Sequence, residues 1–548
     1  MLSPHYYRDN FAHLCATVEA QYGDLLAEQE LDFLCRFKQQ SFATQCLYVR
    51  LVSRVGPWFR ESRLAYPELG AVEPLIEELL ESDLACCATT LDVDEIGRLY
   101  TRDELLRTFD IDAVEARALG KPQLLETIDA LQLADGKALS LLAKVDPGRV
   151  IAAQSLEVVE LLQLLFFGNR RQSLTEFVLS DLGVAQYYSY PLDREHRLFA
   201  NREALDEYLD CSLVSDHWYA LRECDALEEL PDLAQLMLSM EVSHGSSLSR
   251  WHRLCNSVAR QLERQDEGAL ALRLYQISER HPARERRARI MEAQANWQAA
   301  KALCDDILAD PWCEAEAEAA ARILPRVQRA LDGTRSRRRR DAFATTQLLL
   351  PNAGGSVERQ VAQRLEHEWA QVHYVENKLM NALFGLAFWD AIFAPVPGVF
   401  HNPFQSVPTD MYDARFRRQR RSLLSERLAS LKSADLSVEL PAAYARYAPY
   451  QCRWVDWRRI DQALVAAAAT VIPAPHLLAI WERMLFDPGE NRRGFPDLLA
   501  LGDTPGEYRL IEVKAPGDAL QYGQKRWLRF FSANAIPAEV AWVEWLDA

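Results

Sequence analysis

The sequence predicts a multidomain, mainly α-helical chain that ends in a mixed α/β unit. Three observations predict it. The 548 residues are enough for roughly two to four domains. Apolar residues recur at helical spacing over most of the length, as at Ala27, Leu31, Leu34, Cys35 and Phe37. Near the C-terminus this pattern gives way to two strand-length apolar runs, Asp497–Leu501 and Tyr508–Ala515, separated by the turn residues of Gly502–Gly506.

Composition narrows the class. With 49% hydrophobic and 26% charged residues the chain reads as an ordinary globular protein. Its longest apolar run, Ala463–Ile472, is interrupted by Thr470 and is too short to span a bilayer, so no membrane partner is expected. The opening Met-Leu-Ser-Pro-His-Tyr-Tyr-Arg lacks a basic region followed by an apolar one, so a cytoplasmic location is expected. Eleven cysteines occur without any Cys-x-x-Cys pair, which predicts reduced thiols and no zinc finger. The net charge of −17 argues against a generally basic surface. Positive charge is nevertheless clustered in Arg284–Arg289 (RERRAR), Arg335–Arg340 (RSRRRR) and Arg415–Arg421 (RFRRQRR). Each run alone suits a solvated helix face. Three in an acidic chain predict a segregated footprint for a polyanion.

Taken in order, residues 1–85 read as a helical domain in which Arg50 and Arg54 share one helical face near Trp58. That face suits either solvent or phosphates. Residues 86–145 read as a small module of short helices. Thr101 and Glu104 form a capping box at the start of one, and Gly120-Lys121-Pro122 opens another. The pair resembles a SAP-type DNA-binding module, in which Lys121 at a helix N-terminus would favour a phosphate. Residues 146–345 are helical throughout, with Ser155 as N-cap and Gly168 as stop of one apolar helix. Similar helix starts at Gly268 and Asn296 resemble tetratricopeptide-like pairs. Gly333–Gly355 carries turn chemistry and marks a boundary. In the last domain, residues 346–548, a long helical pattern over Val357–Ala394 precedes a Pro-rich loop and further helices. It closes as strand, strand, helix (Asp518–Ser532) and strand (Ala538–Trp545).

The chemistry gathers in that closing segment. Side chains two apart on a strand share a face, so Glu512 and Lys514 point the same way, and a hairpin brings Asp497 beside them. Pro-Asp followed by Glu-x-Lys occurs by chance and on solvated strands. Here both acids sit in runs that read as buried, where a carboxylate needs a partner. The arrangement suits hydrolysis of a phosphodiester with Mg²⁺ or Mn²⁺ on oxygen ligands. Asp497, Glu512 and the Val513 carbonyl are the candidate ligands, and Lys514 would orient or deprotonate water. A third acid is needed, and Glu376, ahead of an apolar helix, is the candidate. It serves equally well as a helix N-terminal carboxylate. Gln524 could reach the water or a phosphate, or face solvent. Arg492 and Arg493 could clamp the scissile phosphate, or lie in a solvated loop.

Gly494-Phe495-Pro496-Asp497-Leu498-Leu499, Glu512-Val513-Lys514-Ala515-Pro516-Gly517-Asp518 and Gln524-Lys525-Arg526-Trp527-Leu528 resemble the virus-type replication-repair nuclease (VRR-NUC) domain, of the restriction-endonuclease-like type. Leu383–Phe393, Val399–Gln405 and the Arg420-Arg421…Glu426-Arg427-Leu428 pattern resemble the Fanconi-associated nuclease family. Gln45–Arg54 and the Tyr187–Phe199 region also look like that family, so the resemblance spans most of the chain. It implies metal-dependent 5′ flap endonuclease and 5′ to 3′ exonuclease activity on DNA in interstrand-crosslink repair. It also implies Glu376, Asp497, Glu512 and Val513 as metal ligands and Lys514 as the catalytic lysine. Arg420 and Arg421 are carried as DNA contacts. The ubiquitin-binding zinc finger of animal members is missing, which suggests a bacterial, nucleoid-associated form. A junction resolvase or broad phosphodiesterase, and a non-catalytic DNA-binding scaffold, are the competing expectations.

Overall fold

Two units divide the chain, Met1–Ala185 and Gln186–Ala548. The computed structural model describes residues 4–54, 56–109, 119–133, 136–170, 172, 185–334, 341–351 and 354–546. The Arg335–Arg340 run lies outside the described residues.

In the first unit, helices Tyr6–Tyr22, Glu28–Gln39 and Phe42–Val52 close around Phe11, Phe33, Phe37 and Tyr48, all fully buried. Helical spacing predicted this much. It missed a small antiparallel sheet of β1 (Trp58–Arg60), β2 (Ala85–Cys87) and β3 (Val150–Ala153) in the order β1-β3-β2. Strands of three or four residues are too short to display a period. Between β2 and β3, helices Val93–Leu99, Arg102–Phe109, Lys121–Asp129 and Lys137–Leu142 share a core of Ile96, Leu105, Leu124 and Leu142. The expected capping box is present: the Thr101 amide donates to Glu104 at 2.8 Å, and the Glu104 amide donates to the Thr101 hydroxyl at 3.4 Å. Gly168 ends the Leu156–Phe167 helix with φ +70°, as expected. Ser155 does not cap it. Its own φ of +61° turns the hydroxyl away from the first-turn amides.

The second unit begins as an array of helices, from Arg202–Glu223 through Gly245–Arg264, Gly268–Ile277, Ala283–Ala293 and Trp297–Ala309 to Glu314–Asp332. It ends on a five-stranded mixed sheet, β4 (Thr345–Pro351), β5 (Gln371–Tyr374), β6 (Leu498–Leu501), β7 (Tyr508–Lys514) and β8 (Ala538–Leu546), in the order β4-β8-β7-β6-β5. β8 pairs in parallel with both β4 and β7, while β6 pairs antiparallel with both β7 and β5. The sheet is covered on both faces. Leu498, Ala500, Ile511 and Val513 pack with Val361 and Leu365 of the Val357–Leu365 helix. Leu499, Leu501, Tyr508 and Leu510 face Trp527 and Phe531 of the Tyr522–Ala533 helix and the large helical core inserted between β5 and β6.

The helix expected over Val357–Ala394 is therefore broken by edge strand β5, and the apolar helix resumes only at Leu379–Ala387. Among the described residues no single helix is long and apolar enough to cross a membrane. The bent pair Gln462–Val471 and Ala474–Phe486 approaches that composition, but its apolar side chains belong to the core.

Candidate active site

Strand parity and register assemble the site. β6 pairs β7 with Leu498 opposite Ile511, so one step further places Asp497 opposite Glu512. Asp497 keeps the parity of Leu499 and Leu501, and Glu512 and Lys514 keep that of Tyr508 and Leu510. All three side chains therefore lie on the face covered by the Tyr522–Ala533 helix. They are 8%, 1% and 7% exposed, buried enough that their charges must compensate one another.

The contacts follow. The Lys514 ammonium lies 2.8 Å from Glu512 Oε1. The Gln524 amide also donates to Glu512 Oε1, while its carbonyl accepts from the Gln521 amide at 2.7 Å and caps the helix. Thus Gln524, for which a solvated position was the alternative, is an anchor on the carboxylate. The Val513 amide donates to Asp497 Oδ2 at 2.9 Å. Burial pushes the Asp497 carboxyl up to about 6, against the pull of the Val513 amide and Lys514. Burial and the facing Asp497 push Glu512 up to about 8, against Lys514. Two buried carboxylates opposing each other on one hairpin destabilise it unless one keeps its proton or a cation joins them.

Glu512 Oε2 is buried and has no hydrogen-bond partner, so one carboxylate oxygen is left for another ligand. That oxygen, the facing Asp497 and the nearby ammonium suit a hard divalent cation with oxygen ligands. Glu376 reaches the same end of the sheet: its amide donates to the Asp497 carbonyl at 3.2 Å, next to the Val375 amide at 2.8 Å. Its side chain, however, is exposed and accepts from the Tyr374 hydroxyl at 2.5 Å. Consequently no three acids converge as a ready-made ligand set among the described residues.

Glu358 was missed by sequence reasoning. It lies in the first turn of the Val357–Leu365 helix, behind the Ser356 cap, where its charge helps to raise Asp497. Ser-x-Glu at a helix start was legible. Its nearness to Asp497 depends on how that helix lies across the sheet and was not.

The candidate arginines divide. Arg493 is exposed on the loop before β6, and its carbonyl accepts from the Trp527 indole at 3.0 Å. Arg492 is half-buried over the Tyr412 ring. Arg421 is exposed. Arg420 must be corrected: it is 2% exposed and ion-paired with Asp410 at 2.7 Å, in the core and out of reach of DNA. In the first unit the Phe42–Val52 helix ends before Arg54, so Arg50 and Arg54 do not share a helical face. Arg50 pairs with Glu68 at 2.6 Å and stacks on Tyr7, whereas Arg54 is exposed beside Tyr66. Lys121 occupies the first turn of its helix, partly exposed.

An antiparallel hairpin presenting Asp…Glu-x-Lys from a mixed sheet, clasped by helices on both faces, defines a metal-dependent nuclease of the restriction-endonuclease-like type. Known proteins agree. Residues 431–545 match the VRR-NUC domain and residues 5–85 match the FAN1 HTH domain. A Fanconi-associated nuclease 1 homolog from Pseudomonas aeruginosa is 34% identical over 99% of this chain and 96% of its own length. The Arabidopsis thaliana homolog is 24% identical over 97% of this chain and 66% of its own length, and human Fanconi-associated nuclease 1 is 24% identical over 98% and 62%. Those two are longer proteins, of which this chain spans about two thirds. Crystal structures of paFAN1 bound to DNA with a two-nucleotide or a one-nucleotide 5′ flap and a gap superpose with TM-scores of 0.81 and 0.79. Both are 33% identical, with full coverage of both chains. The chain belongs to the Fanconi-associated nuclease family and is a DNA nuclease dependent on divalent metal.

Proposed function

We propose that this nuclease cuts 5′ flaps in branched DNA and degrades DNA from 5′ ends, in the repair of interstrand crosslinks. Mg²⁺ or Mn²⁺ would be held by Asp497, Glu512 and the Val513 carbonyl, with Glu376 turning in as the third acid. The observation that carries the reading is the buried Asp497–Glu512–Lys514 cluster with one Glu512 oxygen unpartnered. The flap preference is supported by the 33% identity to paFAN1, whose structures hold 5′-flap DNA. The nuclease is proposed to act at the nucleoid of a bacterial cell; the bacterial reading is supported by a bacterial relative at 34% identity.

When bound, the metal neutralises charge on the phosphate and lowers the pKa of a water ligand. The chain's own residues do the rest. Lys514, fixed by Glu512, holds its ammonium where it can orient the attacking water and offset charge developing on the phosphate. Gln524 fixes the Glu512 oxygen that Lys514 shares, leaving the other to the cation. Arg493, exposed at the loop leading into β6, would hold a phosphate of the strand being cut, with Arg492 behind it. Arg54, Lys121 and Arg421 are proposed as contacts to the DNA backbone.

Labelled 5′ flaps, 3′ flaps and four-way junctions incubated with Mn²⁺ test the proposal. Cleavage of 5′ flaps above the others is expected, lost in Asp497→Ala while DNA binding persists. Preference for junctions or 3′ flaps would favour the resolvase reading. Undiminished cleavage by Asp497→Ala would remove the site.

A further inference from the structure

The helix that carries Gln524 is held from outside the nuclease sheet. Helix Glu314–Asp332, the last of the helical array, directs Glu318 onto it. Glu318 accepts from Arg526 Nε at 3.0 Å and Nη2 at 3.3 Å, and from the Tyr522 hydroxyl. Arg526 is only 8% exposed, so this ion pair is shielded from the screening that makes surface pairs weak. One turn earlier, Glu314 pairs with Arg483 at 3.0 Å, and the Arg483 guanidinium packs on the rings of Trp527 and Phe530. Two carboxylates from one array helix therefore grip both ends of a short segment of the nuclease helix.

That segment reaches both acids of the site. Gln524, between Tyr522 and Arg526, donates to Glu512. Trp527, next to Arg526, stacks on Phe495 with ring centroids 4.1 Å apart and donates to the Arg493 carbonyl, at the loop that leads into Asp497. The helix start also presses on that loop: a Cβ on Gly494 would lie 2.8 Å from the Gly523 carbonyl carbon, so backbone meets backbone with nothing between.

We infer that Glu318 is a positioning residue for cleavage, through which the helical array sets the helix that fixes Glu512 and the Asp497 loop. The inference rests on the metal site proposed above. It makes the array part of the catalytic scaffold, because among the described residues no other acid replaces the Glu318 contact to Arg526 in full. Glu490 also lies beside Arg526, at 3.6 Å and more than half exposed.

The test uses the full chain with Glu318→Ala, Glu318→Gln, Arg526→Ala and the double Glu318→Ala/Arg526→Ala, assayed on a 5′ flap well below the unfolding temperature. Removing an outer support of a metal ligand typically lowers affinity or rate by about ten-fold or more. Each single variant is expected to lower kcat by about ten-fold with KM for the flap unchanged. Each should also weaken Mn²⁺ binding measured by calorimetry, and the double should be no worse than the worse single. Glu318→Gln keeps the size and the Tyr522 hydrogen bond, so it reports on the charge even if the alanine variant folds poorly. Wild-type kcat and Mn²⁺ affinity in Glu318→Gln, or multiplicative effects in the double, would overturn the inference. Asp497→Ala, run alongside, separates the two ideas. If it still cuts, the metal site is wrong; if it is dead and the Glu318 variants are normal, only the clamp is wrong.

Discussion

Replacing Glu512 by Gln should abolish cleavage and, in the metal-free protein, raise stability. The buried carboxyl ordinarily titrates at 4.5 and is pushed up to about 8 in the fold. The sign follows from proton binding. Above 4.5 the unfolded chain releases this proton while the folded chain keeps it, so each pH unit costs about 1.4 kcal/mol of stability until the folded value is passed. From 4.5 to 7 this amounts to about 3 kcal/mol, an upper figure because Lys514 loses its nearest counter-charge in the variant. The side-chain amide of the Glu512→Gln variant has no proton to release and is shaped like the neutral acid. The variant's advantage should therefore be small around pH 5 and grow to at most about 3 kcal/mol by pH 7. Urea unfolding followed by tryptophan fluorescence, with a chelator present, measures it. Saturating Mn²⁺ should then reverse the order, since metal at about a thousand times its Kd adds about 4.1 kcal/mol to wild type alone. Parallel pH slopes for the two proteins, or a variant less stable at pH 8, would refute the claim that Glu512 is a buried acid with one oxygen awaiting a cation.

Three further outcomes are expected. Mn²⁺ affinity, read by calorimetry in buffers of different ionisation heat, should rise between about pH 6 and 8 with release of protons, because Asp497 and Glu512 must both lose theirs to bind. Gly494→Ala should lower kcat on the order of ten- to a hundred-fold, because its φ of +80° disfavours a side chain and the Cβ must displace the Gly523 backbone. Wild-type turnover would show that the contact can relax. Arg60→Ala should destabilise the first unit by about 3–5 kcal/mol at neutral pH, since Arg60 bonds Glu104 at 2.9 and 3.0 Å and Asp146 at 2.6 Å in the buried interior. Arg60 holds Glu104, and together with the Ser62 hydroxyl holds Asp146, below the usual carboxylate range, so that loss should shrink as pH falls below about 4.5, visible in paired denaturation curves.

What the sequence disclosed was set by range. Asp497, Glu512 and Lys514 could be placed together because alternation and one tight turn fix their geometry within about twenty residues. Glu376 could be suspected but not placed. The strand that positions it, Gln371–Tyr374, is a four-residue edge inside a helical pattern, and its partner β6 lies more than a hundred residues later. Gln524 was readable as a helix position only. That it touches Glu512 follows from the crossover that lays its helix back on the parallel pair β7–β8. Glu318 and Glu358 were invisible for the same reason, as each reaches the site from a separate helix.

The arginine runs show where local reading misleads. A run of like charges looks like a footprint only if its partners are absent, and partners come from elsewhere in the chain. In Arg284–Arg289, Arg284 bonds Glu316, Arg286 bonds Glu263 and Arg289 bonds Glu285. In Arg415–Arg421, Arg415 and Arg420 are paired with Asp413 and Asp410, and Arg417 packs on Phe486. Much of this positive charge is neutralised inside the fold, so it cannot release counterions from DNA. In a chain of net charge −17 the remaining cations matter more individually. Among the described residues, Arg421 and Arg493 are exposed cations of the nuclease unit that make no carboxylate ion pair. If they hold phosphates, replacing each by Gln should reduce the salt dependence of flap binding by about one counterion, and Arg420→Gln should not.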